Sequence, residues 1–399
     1  MVRAVACIHI AHIGLVGGQL VLDLLSIGTP PSAIRIIDIS YPIRAQQFRQ
    51  KPASEVVIVH ADVTSPSAVR AAFDAPWPSS TLSLPLTVFH TVALIRPFER
   101  HQSLYHRSAL VNVQGTAHVL QAARDAGAQL MIYTSSSTVE HLPVDFFPRP
   151  SCSSWSRLSL GSNYAQILSA ADFALPLRPA SRFATNYALS KAEAERLVKA
   201  ADMPGVMRTG IIRPGNAIYG HPDDKVLGRM LAMGSLPSFG ANWAQSWIGV
   251  RNASLAHLQF EDALVGPHGG KLAGKAFLVT DNGPPLRLSD VHKILALAST
   301  NGLRVTYPPP LLMLLGAYII EAWALAVTRI PFLVTVLGEP QDPVILFQPA
   351  VFSVAVSAAV DDSAARKPVS QGGIGYRPAC TSLEGMTAQA VSHTSNASC

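Results

Sequence analysis

Residues 4–25 read Ala4-Val5-Ala6-Cys7-Ile8-His9-Ile10, then Ala11-His12-Ile13-Gly14-Leu15-Val16-Gly17-Gly18, then Gln19-Leu20-Val21-Leu22-Asp23-Leu24-Leu25. The first run is apolar, too short for the core of a secretion signal, and stops where a glycine turn begins, so it predicts a buried strand. The last run has helical period. A strand, a glycine turn and a helix N-terminus together form an anion site, because unpaired backbone N–H groups and the positive end of the helix dipole face one point. Gly14 and Gly17 keep the GxxG spacing that lets a pyrophosphate approach the backbone closely. Ala11 stands where the usual fingerprint has its first glycine, and alanine tolerates positive φ poorly, so the turn keeps φ negative or carries strain.

Working outward, Ile34-Arg35-Ile36-Ile37-Asp38 predicts a second strand that ends in an acid. A carboxylate there accepts both ribose hydroxyls of an adenosine and repels a 2′-phosphate, which favours NAD over NADP. A third strand is predicted over Val56 to Val63, with Asp62 and Val63 at its end and Asp62 placed to contact an adenine amine. A fourth runs from Val88 to Ala93, and Ser65 to Phe73 between them reads as a helix with Ser65 or Ser67 as N-cap. A further helix is expected over Ser108 to Ala126, stopped by Gly127, and then a strand over Leu130-Met131-Ile132-Tyr133-Thr134. Strands alternating with helices predict an α/β fold with a Rossmann-type, doubly wound parallel sheet.

Ser135-Ser136-Ser137-Thr138-Val139 follows the fifth strand, at the sheet edge where open α/β folds bind their ligands. Later comes Tyr187-Ala188-Leu189-Ser190-Lys191 in a run of helix formers. Tyr187 and Lys191 are four residues apart, so their side chains leave one face a turn apart. A fixed ammonium beside a phenol favours the phenolate, and the pair can then move a proton near neutral pH. Alone, the spacing is equally at home on an amphipathic helix with a partly exposed tyrosine and a solvated lysine.

The order Gly14-x-x-Gly17, Asp38, Asp62-Val63, Asn112-Val113-x-Gly115-Thr116, Thr134-Ser135-Ser136, Tyr187-x-x-x-Lys191 and Arg213-Pro214-x-x-x-Ile218-Tyr219-Gly220 resembles an extended short-chain dehydrogenase/reductase. Within that class it is similar to the 3β-hydroxysteroid dehydrogenase family, the fungal sterol-4α-carboxylate 3-dehydrogenase branch in particular, over residues 4 to 390. The resemblance implies that Tyr187 is the general acid/base and that Lys191 lowers its pKa while holding the nicotinamide ribose. It implies that Ser136, with Ser135 as the fallback, bonds the substrate oxygen. Asn112 matches a residue that supports the helix and a water relay in relatives, a structural role being the alternative. Gly14, Gly17, Asp38, Asp62, Val63, Tyr187, Lys191 and Pro214 would contact the dinucleotide, with the loop to Gly220 closing over its nicotinamide.

The resemblance divides the chain into an NAD-binding domain, 1–220, and a substrate-binding region, 221–390, that returns strands to the sheet. Ser136 and Tyr187 are 51 positions apart, more than such relatives need, and the surplus falls in the Ser-rich, Pro-flanked stretch 148–162. Phe239, Trp243 and Trp247 offer apolar area to a flat ligand or fill a core. Residues 308–360 are strongly apolar. Leu311 to Val327 alone gives 17 residues interrupted by Glu321, at the low edge for a spanning helix, with an acid costing a few kcal/mol in lipid. This predicts a membrane-associated segment near the substrate cleft, the alternative being a buried core helix. Residues 391–399 are small and polar and read as a disordered tail.

Composition narrows the partners. The chain of 399 residues is 49% hydrophobic and only 14% charged, against about 25% in soluble proteins, so it buries much or meets lipid. Its net charge of +6 is scattered rather than bunched, which argues against a nucleic-acid partner. Cys7, Cys152, Cys380 and Cys399 show neither disulfide nor metal spacing, and no metal site is expected. The expected function is NAD-dependent oxidation of a secondary alcohol, a 3β-hydroxyl, on a hydrophobic steroid, sterol or terpenoid-like substrate. Loss of a 4α-carboxylate could follow. Three alternatives stay open: a fungal terpenoid, meroterpenoid or polyketide substrate; an inactive dinucleotide-binding regulator, which Ala11 favours; and sugar-nucleotide epimerisation, which the apolar C-terminal half opposes. A membrane surface and a second copy of the chain complete the expected partners, with a location on the cytoplasmic side of the endoplasmic reticulum or in the cytoplasm.

Overall fold

A computed structural model describes residues 4–8, 15–39, 48–146, 164–220, 224, 226–299 and 302–397. Ala11, Gly14 and the stretch 148–162 lie outside them. In the first half, β1 (Ala4–Ile8), α1 (Leu15–Ser26), β2 (Ile34–Asp38), β3 (Val57–His60), α2 (Pro66–Asp74) and β4 (Leu86–His90) alternate. α2 starts where Ser65 accepts the Ala68 N–H at 3.3 Å and Pro66 occupies the first turn, where its missing N–H costs nothing. The helix expected over 108–126 is three pieces: α3 (Tyr105–Ala109), a π-helical turn over Leu110–Gln114, and α4 (Gly115–Asp125). A Cβ at Gly115 would stand 2.6 Å from Val63 Cγ2, so glycine lets α4 pack directly on the end of β3. Next come β5 (Leu130–Thr134), β6 (Ala165–Leu168), α5 (Asn186–Ala200) and β7 (Arg208–Pro214).

The second half adds β8 (Ile218–Tyr219), α6 (Leu227–Ala232), β9 (Ser235–Pro237), β10 (Ala244–Gln245), β11 (Ile248–Gly249), α7 (Val250–Val265) and β12 (Ala276–Val279). It continues with β13 (Leu286–Arg287), α8 (Leu288–Ala298), β14 (Arg304–Thr306), α9 (Pro310–Arg329) and α10 (Pro331–Leu337). α11 (Pro349–Val354), β15 (Ser357–Val360), α12 (Ser363–Arg366) and α13 (Ser382–Ala397) end the described chain.

The main sheet is parallel, in the order β12-β7-β5-β4-β1-β2-β3. The order reverses between β1 and β4, which opens a crevice at the C-terminal ends of those strands. Period-two alternation assigns its faces. Ile34, Ile36, Leu130 and Ile132 pack with Leu20, Val21 and Leu24 of α1 and Phe260 of α7. Ile37, Met131 and Tyr133 point the other way, against Val69 of α2, Val119 of α4 and Val198 of α5. A separate core formed by Leu227, Leu231, Trp247, Val291 and Leu295 supports the C-terminal region.

Two expectations are corrected here. The apolar stretch 308–360 is not one segment. α9 and α10 present a bare face with Leu311, Leu312, Leu315, Ile319, Phe332 and Val336 exposed. By contrast, Ala350, Phe352 and Val354 of α11 are buried, and β15 is an inner strand of a second sheet, β13-β10-β15-β6. Apolar composition is the same in both parts; only packing separates them. Nor does the chain become an irregular tail at 391, because α13 runs on to Ala397. Its buried Met386 joins the C-terminal core, and docking of its first turns anchors a helix that composition alone does not favour.

Candidate active site

The C-terminal end of β5 sets the site. Ser135 N–H donates to the Ile212 carbonyl at 2.7 Å, carrying the β5–β7 pairing one residue further. Ser136 is extended and caps a short 3₁₀ turn, Ser137–Glu140, its Oγ accepting from Thr138 N at 3.2 Å and Thr138 Oγ1 at 2.9 Å. α5 begins at Thr185, whose Oγ1 accepts the Ala188 N–H at 3.0 Å. Asn186 ties that helix start to the loop after β4, donating its N–H to the Glu99 carbonyl at 2.7 Å and Nδ2 to the His101 carbonyl at 2.8 Å.

The helix delivers Tyr187 and Lys191 to the serine turn, and both are buried. Ser136 lies beside the Tyr187 phenol and favours its ionised form. Lys191 Nζ donates to the Thr134 carbonyl at 2.6 Å and lies 4.2 Å from the centre of the Tyr133 ring, a cation–π contact. Burial pushes the Tyr187 phenol up to about 12, and Ser136 pulls the other way. Burial lowers Lys191 to about 7, opposed by Glu195. Burial thus works against the expected acidification of Tyr187 by Lys191. Desolvation disfavours both charged forms here, and the lysine is engaged by a backbone carbonyl.

Asn112 lies in the π-helical turn and acts as a strut. Its Oδ1 accepts Leu94 N–H at 2.8 Å, and its Nδ2 donates to the Leu94 carbonyl at 3.1 Å and to Ser190 Oγ at 2.9 Å. Ser190 Oγ in turn donates to the Tyr187 carbonyl at 2.8 Å. The carbonyl of Asn112 accepts from Thr116 Oγ1 at 2.7 Å. The side chain thus locks the loop after β4 to the helix that carries Tyr187 and Lys191.

The residues expected to hold a dinucleotide gather along the same sheet edge. Gly17 is buried in the first turn of α1, Asp38 ends β2, Asp62 and Val63 follow β3, and Pro214 ends β7. The Ser135 and Ser137 hydroxyls are buried with no hydrogen-bond partner among the described residues. Together, a helix N-terminus at the sheet reversal, an acid ending β2 and unsatisfied hydroxyls beside Tyr187 fit a dinucleotide laid across the crevice. After Pro214, Ala217 takes φ +59°, a left-handed conformation that costs an L-residue roughly 1–2 kcal/mol.

Two features escaped sequence reasoning. Arg213 is a buried hub on β7, with Glu195, Glu140 and Asp172 around its guanidinium. Glu195 lies one turn beyond Lys191, and that i,i+4 spacing was the available signal. Of the aromatics weighed as ligand surface or core, Phe239 and Trp243 belong to a cluster. Phe239 stacks on Phe352 at 3.9 Å and meets Trp243 edge-on at 5.7 Å, while Phe146 approaches Phe352 at 6.4 Å and Tyr164 at 6.2 Å. Trp247, by contrast, belongs to the C-terminal core.

A seven-stranded parallel sheet with a serine, a tyrosine and a lysine meeting at its C-terminal edge defines the extended short-chain dehydrogenase/reductase class. The chain belongs to the 3-beta hydroxysteroid dehydrogenase/isomerase family of oxidoreductases, which it matches over residues 10–141 and 156–303. That match is shorter than the expected 4–390; its interruption overlaps the surplus at 148–162, and α9, α10 and all that follows lie beyond it. The chain is 30% identical over 206 residues to 3beta-hydroxysteroid-dehydrogenase/decarboxylase isoform 1 of Arabidopsis thaliana, covering 49% of this chain and 40% of that one. It is 30% identical over 218 residues to 2-alkyl-3-oxoalkanoate reductase of Stenotrophomonas maltophilia (strain K279a), covering 52% and 56%. The chain thus spans less than two thirds of the length of these curated relatives. In fold it is similar to UDP-glucose 4-epimerase of Thermus thermophilus solved with NAD, with a TM-score of 0.59, 17% identity and 98% and 99% of the two chains covered. It is likewise similar to dTDP-glucose 4,6-dehydratase of Streptomyces venezuelae solved with NAD, with a TM-score of 0.60, 17% identity and 98% of each chain covered.

Proposed function

We propose that the protein oxidises a secondary alcohol, the 3β-hydroxyl of a hydrophobic steroid, sterol or terpenoid-like substrate, with NAD as acceptor. The observation that carries this reading is the convergence of Ser136, at the end of β5, with Tyr187 and Lys191 of α5, whose lysine is tied to the Thr134 carbonyl, at the crevice edge of the sheet. NAD would supply the nicotinamide ring that takes the hydride. The chain's own groups do the rest. Ser136 holds the carbinol oxygen, the phenolate form of Tyr187 receives the hydroxyl proton, and hydride leaves the same carbon, making a ketone. Burial favours the neutral phenol, so the ionised form depends on positive charge at Lys191. The aromatic cluster around Phe239 and Phe352 supports a flat apolar substrate over a sugar nucleotide. If that substrate carries a 4α-carboxylate, the new 3-ketone accepts the electron pair as the carbon–carboxylate bond breaks. Carbon dioxide leaves, and reprotonation of the enolate restores the ketone.

The bare face of α9 and α10 supports docking on a bilayer, which would bring a lipid-soluble substrate to the cleft and place the enzyme on the cytoplasmic face of the endoplasmic reticulum. α9 is 20 residues long, and its most apolar 18-residue window has a mean hydropathy of 1.9, with 17% of that window buried in the protein.

The purified chain, given 3β-hydroxysterols with and without a 4α-carboxylate and either NAD or NADP, should generate reduced cofactor, faster with NAD. A fungal terpenoid or polyketide alcohol in place of the sterol would show itself by the same readout. NAD binding with no turnover of any alcohol or ketone, unchanged by Tyr187→Phe, would establish the inactive dinucleotide-binding alternative instead.

A further inference from the structure

We propose that Glu195 is the positioning residue for Lys191, and that Arg213 holds it there by clamping together the three chain segments that build the site. The inference rests on the reading in which Lys191 serves as the cation beside Tyr187.

The geometry starts on α5. Tyr187, Lys191 and Glu195 follow one another at i, i+4 and i+8, and all three are buried, so phenol, ammonium and carboxylate form a ladder along one stripe of the helix. A lysine in that position loses its hydration and needs a compensating charge to stay an ammonium. On its other sides Lys191 meets the Thr134 carbonyl and the Tyr133 ring from β5, and Tyr187 stands one turn away on its own helix. None of these carries a full negative charge while the phenols are neutral. Glu195 does, and it is the group that opposes the effect of burial on Lys191.

Glu195 cannot swing away, because Arg213 grips it by two hydrogen bonds, Nε to Oε1 at 2.8 Å and Nη2 to Oε2 at 2.6 Å. The remaining nitrogen, Nη1, reaches Glu140 Oε1 at 2.7 Å and Asp172 Oδ1 at 2.8 Å. Glu140 ends the 3₁₀ turn that Ser136 caps, and its carboxylate also accepts the Ser169 and Ala170 N–H groups, both at 2.7 Å. One guanidinium on β7 therefore joins the lysine helix, the serine turn and the segment between β6 and α5. Three carboxylates surround Arg213, so its positive charge is more than balanced at its own position. Arg178, donating to the Val139 and Glu140 carbonyls, and Arg196 of α5, donating to the Asp172, Phe173 and Leu175 carbonyls, are further cations beside this network.

The test follows Lys191 directly, in full-length protein labelled with ¹³C-lysine, through the pH dependence of its Cε resonance assigned by Lys191→Met. It needs neither substrate nor cofactor, so failure of the proposed reaction and failure of this inference are distinguishable. Glu195→Gln, which keeps the oxygen facing Arg213 Nε, should lower the Lys191 midpoint by about one pH unit, a tenfold change in the ratio of ammonium to amine. Asp172→Asn, which loosens the far side of the same guanidinium, should leave the midpoint in place even if it lowers thermal stability. If Glu195→Gln does not fold, Glu195→Asp moves the charge back by one methylene and should lower the midpoint by a smaller amount. A midpoint unmoved in whichever Glu195 variant folds, or moved as far by Asp172→Asn, overturns the proposal and leaves Glu195 as a packing group.

Discussion

Arg100 and Glu321 face each other across the seam between the nucleotide-binding half and the apolar hairpin, joined by two hydrogen bonds of 2.7 Å each. The acid that interrupts the most apolar helix of the chain is therefore turned inward, and Arg100 also lies 5.3 Å over the Tyr318 ring. Arg107 makes a second tie, to Glu339 at 2.8 Å and Glu99 at 3.3 Å. Arg100→Met should leave a part-buried carboxylate without its partner and loosen the hairpin by roughly 1–3 kcal/mol. Hydrogen exchange over residues 310–337 should then quicken while the main sheet stays protected; uniform protection in both would show that the pair holds nothing.

With Glu321 turned inward, the outer face of α9 carries Leu311, Leu312, Leu315 and Ile319, each more than half exposed. Replacing Leu315 and Ile319 together by glutamate should reduce flotation with phospholipid vesicles at least tenfold and leave the melting temperature unchanged, since neither side chain packs in the core. Equal flotation of variant and wild type would rule out docking through this face.

Ser136→Ala removes the hydroxyl that pulls the Tyr187 phenol down from the level burial imposes. Loss of a group that favours the phenolate raises the phenol pKa further. The pH at which oxidation reaches its plateau should accordingly move up, with kcat falling roughly 10²–10³-fold. Tyr187→Phe should abolish turnover while dinucleotide binding persists. An unchanged pH profile in Ser136→Ala would place the serine outside the proton path.

Two buried imidazoles make the fold sensitive to acid. His257 Nδ1 lies 2.7 Å from the Ala253 carbonyl, which can only accept, so the proton is on Nδ1 and Nε2 accepts from Thr134 Oγ1 at 2.7 Å. Burial holds both His257 and His141 down to about 4, against 6.5 when unfolded. The unfolded chain binds more protons between those values, so stability present above pH 6.5 is lost as pH falls through 4, on the order of 3 kcal/mol per imidazole. Urea titrations at pH 7 and pH 4.5 should show that loss, and His257→Gln should flatten it; a pH-independent midpoint over that range would contradict it.

The glycine between α4 and β3 gives a purely steric test. Gly115→Ala brings a Cβ to 2.6 Å of Val63 Cγ2 in a close-packed region, so it should destabilise the protein by about 1–3 kcal/mol. Because Val63 flanks the adenine end of the proposed dinucleotide site, NAD affinity should fall as well. Wild-type thermal stability in this variant would show that the helix can shift away freely.

Much of the fold was legible from local pattern. Apolar runs of period two, the proline and serine that open α2, and the i,i+4 spacing of Tyr187 and Lys191 are decided within a few residues by backbone sterics and hydrogen bonding, so they can be read without the rest of the chain. The ordered motifs then placed Ser136 and Tyr187 together although 51 positions separate them. What could not be read is whatever depends on burial and on distant partners. Burial works against the Tyr187 phenolate because the completed core strips water from it. Arg213 becomes a hub only when residues 140, 172 and 195 arrive around it. The single apolar stretch 308–360 splits into a bare hairpin and a buried helix and strand, because Glu321 finds Arg100 from 221 positions away and β15 finds a place between β10 and β6. The sequence by itself determined which elements form and which chemistry they can carry. Only the tertiary structure decided which charges keep their water, since desolvation is a property of the assembled surroundings and not of any one segment.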